Sequence, residues 1–113
     1  MKVLVEGHKY ELEYFEDCME GCDITEQTIQ FIEKVPAPVA EGGEPDGSLF
    51  TMNNGTTNED VLDVLIDRMK YLQAKFPCRE NAIVITNLEE SLMWLNKRTA
   101  DRSVRGVEGK QIK

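Results

Sequence analysis

Residues 58–76, NEDVLDVLIDRMKYLQAKF, lead through PCRE into NAIVITNLEESLMWLNKRTADRSV at 81–104. In the first run Val61, Leu62, Leu65, Ile66, Met69, Leu72 and Phe76 recur with helical period. Pro77 then ends it, because proline cannot donate the helical hydrogen bond. Thr56 or Thr57 supplies an N-cap with Glu59 or Asp60 three residues on, which places acid at the positive end of the helix dipole. At ~1.5 Å per residue such a helix is about 28 Å long. In the second run Ile85, Leu88, Leu92, Leu95 and Thr99 alternate spacings of three and four, a seam suited to another helix. This helix is expected to begin near Asn81, where Asn reads as an N-cap, and to end by Gly106. A short link between two long amphipathic helices implies an antiparallel hairpin. Ile83, Val84 and Trp94 lie off the seam, so a sheet or a second copy must cover the remaining apolar surface. A homo-oligomer, at least a dimer, is the expectation.

Ahead of the hairpin the pattern changes from period 3.6 to period 2. KVLVE (2–6) and KYELEYF (9–15) are joined by Gly7-His8, short enough for a tight turn. The second run alternates Tyr10, Leu12 and Tyr14 with Glu11 and Glu13. QTIQFIEKV (27–35) reads as a third strand and SLFTM (48–52) as a short fourth. Between them Pro36, Pro38, Gly42, Gly43, Pro45 and Gly47 predict a mobile loop or a connection between subdomains. The fold class is α+β: a small N-terminal antiparallel β-sheet followed by a long antiparallel helical hairpin. Residues 1–54 form the β-sheet subdomain and 55–113 the hairpin, in one compact unit. A chain of 113 residues is expected to have a single core with little stability to spare.

Charge divides along the same line. Residues 1–67 carry 3 basic and 16 acidic side chains (net −13), and residues 68–113 carry 10 and 5 (net +5). The overall −8 disfavours bulk attraction to DNA or membranes, while the split points to attraction between halves or to an anionic ligand at the basic end. Cys18, Cys22 and Cys78 are an odd number, suggest no disulfide framework, and read as free thiols in a reducing cytosol. The N-terminus has no signal-peptide pattern, and no run approaches the ~18 apolar residues of a membrane span.

The basic end is most concentrated in KRTADRSVRG, residues 97–106. On a helix Arg98, Arg102 and Arg105 fall at i, i+4 and i+7 and share a face suited to a diphosphate. Basic residues in a last turn also complement the dipole, a role that suits one or two of them better than a stripe of three. A nucleotide ligand also needs a surface for its base. Tyr71, off the apolar stripe, offers one, whereas Phe76 reads as core. Asn81 offers a donor and an acceptor to a base edge or ribose, or a helix cap. No metal site is expected: Cys18 and Cys22 lack a second pair, and His8 is the sole histidine, in a turn. No phosphate loop, Ser-His-Asp set or carboxylate pair is present, so neither catalysis nor a cofactor is expected.

GTTNEDVLDVLIDRM, KFPCREN and LEESLMWLNKRTADRSVRGVEG together resemble the helical hairpin of the phage Thoeris anti-defence 1 family, which anti-CBASS 2 proteins share. The resemblance covers roughly residues 55–109, and a strand-rich part ahead of the hairpin favours the Thoeris type. It implies a sponge in the cytoplasm of the infected bacterium, binding a cyclic nucleotide immune signal without cleaving it. The signal of that family is glycocyclic ADP-ribose made by TIR proteins. Some members also take CBASS cyclic di- or trinucleotides at a second site created by assembly, up to hexamers. Carried over by position, Arg98 and Arg102 would bind the diphosphate, and Asn81 and Tyr71 the base and ribose. Arg105 enters from helical spacing alone. The alternatives are a sponge for CBASS nucleotides only, or a non-enzymatic scaffold whose basic helix end contacts nucleic acid.

Overall fold

The computed structural model describes residues 1–14, 27–39, 41–44 and 46–106. Cys18, Cys22 and the end of the second strand run lie outside the described residues. Among the described residues five strands precede two helices, and the α+β class with an antiparallel sheet ahead of a helical hairpin is what the chain forms.

β1 (Lys2–Val5) and β2 (Lys9–Glu11) pair antiparallel about Gly7, which adopts φ 74°, the left-handed conformation a glycine reaches at no steric cost. β3 (Thr28–Gln30) adds on the other side of β2, giving the order β1-β2-β3. Tyr10 on the central strand meets Phe31 edge to face at 6.0 Å.

The third strand expected over 27–35 is broken in two. Its second part, β4 (Glu33–Pro36), leaves the first sheet and pairs antiparallel with β5 (Leu49–Asn53) in a separate two-stranded sheet. The break occurs where the segment following β5 docks. The Thr56 amide donates to the Gln30 carbonyl (2.8 Å), the Ile32 amide donates to the Thr56 carbonyl (2.9 Å), and Phe31 and Thr56 form a parallel bridge. The Pro/Gly-rich stretch after β4 is therefore a hairpin loop within one sheet, closed by Ala37 N–H to Ser48 C=O at 2.9 Å, not a connection between subdomains. Gly55 allows the docking: a Cβ there would meet the Gln30 carbonyl oxygen and lie 2.7 Å from the Phe31 carbonyl carbon.

α1 (Asn58–Lys75) starts at the Thr57 N-cap, whose hydroxyl accepts the Asp60 amide at 3.2 Å. α2 (Arg79–Val104) begins two residues earlier than expected. Its cap is Cys78, whose Sγ accepts the Asn81 amide at 3.4 Å, so Asn81 lies in the first turn and is not the cap. Gln73 closes the link between the helices by donating to the Cys78 carbonyl and accepting from its amide, both at 3.0 Å. Lys70 reaches Glu89 across the hairpin at 3.5 Å. α2 ends at Arg105 and Gly106, the latter at φ 71°, the usual device for leaving a helix.

The two helices pack on each other, and among the described residues neither packs on a strand. Asn81, Ile85, Leu88, Leu92 and Leu95 are half-buried along the inner line of α2, and Arg102 continues that line at the same alternating spacing. Ile66 is the one buried apolar residue among those described, so the described residues do not form the single core expected of a chain this size. Leu65 and Phe76, expected inside, are exposed, Phe76 by 75% at the hairpin tip. Val64, Tyr71, Ile83, Val84, Met93 and Trp94 are also exposed. No described helix is long and apolar enough to cross a membrane.

Candidate functional site

The three arginines meet in one cleft. At the C-terminal end of α2, Trp94, Lys97, Arg98, Asp101, Arg102 and Arg105 line an open hollow of about 320 Å³. The helical period brings these side chains together: positions 94, 98, 101, 102 and 105 project over the same side of the last three turns.

Within the cleft the cations differ in setting. Arg98 is exposed, whereas Arg102 is only 8% exposed because it occupies a place on the inner seam. It is the one buried charged residue among those described, and it also lines the hollow. Arg105 is the C-cap of α2, and its amide donates to the Asp101 and Ser103 carbonyls, so it serves the helix end and the cleft at once. Arg102 and Arg105 both have partners in the fold. Lys97 is paired with Asp101 one turn on (Nζ to Oδ2 3.1 Å). Four cations and one carboxylate leave the hollow strongly positive, in a chain that is acidic overall.

Tyr71 and Asn81 lie elsewhere. Asn81 is 21 positions before Arg102 on α2, about 31 Å along the helix. Tyr71 is in the last turn and a half of α1, beside the same hairpin tip. Its ring carries the Lys75 ammonium 4.7 Å from the centroid. Within one protomer, then, the structure unites Arg98, Arg102 and Arg105 and separates them from Tyr71 and Asn81. Trp94, Lys97 and Asp101 are the cleft residues the motif reading passed over. Trp94 had a signal in its i, i+4 relation to Arg98, but an off-seam apolar residue reads first as oligomer surface.

Residues 29–100 match the Acb2/Tad1 hairpin domain. The chain belongs to this family of hairpin proteins, and the match takes in Tyr71, Asn81, Trp94 and Arg98, while Arg102 and Arg105 lie just past its end. Thoeris anti-defense 1 of Bacillus phage SBSphiJ7 is 61% identical over 57 residues. That alignment covers 50% of this chain and 40% of the relative, so the chain is matched over well under half the length of that protein.

Proposed function

We propose that the protein is a phage anti-defence sponge, which binds glycocyclic ADP-ribose in the cytoplasm of the infected bacterium and withholds it from the immune effector without cleaving it. The observation that carries this reading is the convergence of Arg98, Arg102 and Arg105 on one hollow, a cationic site matched to a diphosphate. The named relative supplies the defence system.

Affinity argues for a second copy of the chain. A sponge must hold scarce signal, and a Kd near 1 nM corresponds to ~12 kcal/mol. Ion pairs in an open hollow contribute at most ~1 kcal/mol each because water competes for both partners. The site therefore has to be enclosed. The ~31 Å between Asn81 and Arg102 along one helix supports an enclosure built from two copies. Two hairpins packed antiparallel would lay the Tyr71–Asn81 tip of one copy over the arginine end of the other, and their exposed apolar faces would bury each other. The oligomer and the complete pocket are then one construction.

The test is sequestration. Protein mixed with glycocyclic ADP-ribose should deplete the free signal at near-stoichiometric ratio, and heat denaturation should return it unchanged. Recovery of linear ADP-ribose would mean an enzyme. Binding of cyclic di- or trinucleotides with no response to glycocyclic ADP-ribose would favour a CBASS-only sponge, and salt-dependent DNA binding would favour the scaffold.

A further inference from the structure

Asn54 is followed by Gly55, and no other asparagine of the chain precedes a glycine. The pair falls between the end of β5 and the docked Thr56, and both residues are exposed. The Gly55 amide stands outside the backbone ladders: among the described residues its partner is the Asn54 side chain, whose Oδ1 accepts it at 2.9 Å. Rotation about χ2 of Asn54, a soft torsion, presents the carbonyl carbon to that same nitrogen in place of the oxygen. Glycine has no Cβ to obstruct the approach. Asn87 and Asn96 lack this arrangement, because they lie inside α2, where the following amide is held in the helical hydrogen-bond ladder.

We propose that Asn54 is a self-modification site, where the folded chain converts its own Asn54–Gly55 linkage to isoaspartate and so unlatches the first sheet from the helical hairpin. Loss of the Gly55 N–H proton to water or hydroxide frees the nitrogen lone pair, which forms a bond to Asn54 Cγ. The Cγ–Nδ2 bond breaks and the side-chain nitrogen leaves as ammonia, taking a proton from water, as a five-membered succinimide closes. Water then adds to one of its two carbonyls. Opening at the former main-chain carbonyl leaves isoaspartate, with the chain routed through Cβ and Cγ; opening at the other leaves aspartate. In sum one water is consumed and one ammonia released, with no oxidation or reduction. The chemistry makes no use of the arginine cleft.

Isoaspartate lengthens the main chain by one methylene directly before Gly55. That glycine already approaches the Gln30–Phe31 peptide so closely that a Cβ would lie 2.7 Å from the Phe31 carbonyl carbon. One residue on, the Thr56 amide donates to the Gln30 carbonyl at 2.8 Å and the Thr56 carbonyl accepts from the Ile32 amide at 2.9 Å. Among the described residues these two bonds join the first sheet to the start of α1 at Thr57, since neither helix packs on a strand. A fit this close cannot absorb an extra backbone atom, so Thr56 loses its register and the join opens.

The full-length protein is incubated at neutral pH for several days, folded and, in parallel, unfolded in guanidinium chloride, beside folded Asn54→Gln and Asn54→Asp. Mass spectrometry follows exchange of an amide for a hydroxyl at residue 54, methyl transfer by an isoaspartyl methyltransferase counts isoaspartate, and hydrogen exchange reads the Ile32 and Thr56 amides. Folded wild type should gain mass at residue 54 on the timescale of the unfolded chain, with isoaspartate formed, and Asn54→Gln, which would need a six-membered ring, should not. In the aged fraction both amides should lose protection. Asn54→Asp, which carries the charge without the added methylene, should keep it. Folded wild type that holds its mass while the unfolded chain converts, or an equal gain in Asn54→Gln, overturns the self-modification. Conversion with both amides still protected, or equal loss of protection in Asn54→Asp, overturns the unlatching.

Discussion

Arg98 and Arg102 are one turn apart and carry the same charge, yet they stand in different surroundings. Arg98 is exposed, so its removal takes nothing from the fold, and Arg98→Ala should melt within about 0.5 kcal/mol of wild type. It should lose about 10- to 100-fold in affinity for glycocyclic ADP-ribose, the worth of a charge-assisted hydrogen bond. Arg98→Lys keeps the charge without the planar fork and should fall between. Arg102 fills a seam position, and Arg102→Ala should cost about 1–3 kcal/mol of stability in addition to binding, because packing and partners are lost together. Calorimetric melts beside binding isotherms separate the two, and an Arg102→Ala melt identical to wild type would remove it from the seam. The shared face of the arginines was legible beforehand, since i, i+4, i+7 depends only on helical period. The burial of Arg102 was not, because it depends on how α1 lies against α2, which no local pattern encodes.

At the scale of elements, the helices were readable because their apolar spacing is unlike anything a strand produces. The link between them rests on a contact with no such signature. Gln73 looks like one more polar helix residue, but its amide bonds both the N–H and the C=O of Cys78 and fixes the direction in which α2 departs. Gln73→Ala should lower stability by about 1–3 kcal/mol, for two hydrogen bonds of ~0.5–1.5 kcal/mol each, read as a drop in the midpoint of a denaturant titration. An unchanged midpoint would show that the bonds are not formed in solution. The divided third strand is a similar case. Ile29, Phe31, Ile32 and Val35 read as continuous β pattern, and the interruption comes from residue 56, far along the chain. Gly55 is the point of closest approach. Gly55→Ala places a methyl group against the Gln30–Phe31 peptide and should destabilise by at least ~1–3 kcal/mol, the usual range for overpacking, although its φ is accessible to alanine. The same substitution at Gly42, where a Cβ meets nothing, tests only the cost of positive φ and serves as the comparison.

At the scale of the molecule, the chain extends 60 × 34 × 17 Å with a radius of gyration of 18.9 Å, against about 13 Å for a compact domain of this length. Ile66 as the one buried apolar residue among those described cannot offset the ordering of so long a hairpin. In the two-copy arrangement proposed above, association would supply the missing stability. For an obligate oligomer, folding and assembly are one equilibrium, so the melting temperature depends on protein concentration. Each tenfold dilution of a dimer should remove ~1.4 kcal/mol, and melts spanning two decades of concentration should shift downward together with the loss of dimer mass in light scattering. Val64, 63% exposed on α1, supplies the complementary variant. On a monomer Val64→Asp is a surface change worth no more than about 0.5 kcal/mol, whereas within an apolar contact between copies it buries an unpaired carboxylate. If the hairpin tip of a second copy completes the pocket as proposed, the expected result is a lower mass, a lower melt and loss of glycocyclic ADP-ribose binding together. Wild-type melts that do not move with concentration, with Val64→Asp indistinguishable from them, would show that the elongated hairpin stands alone, and the enclosed two-copy site would fall with the oligomer.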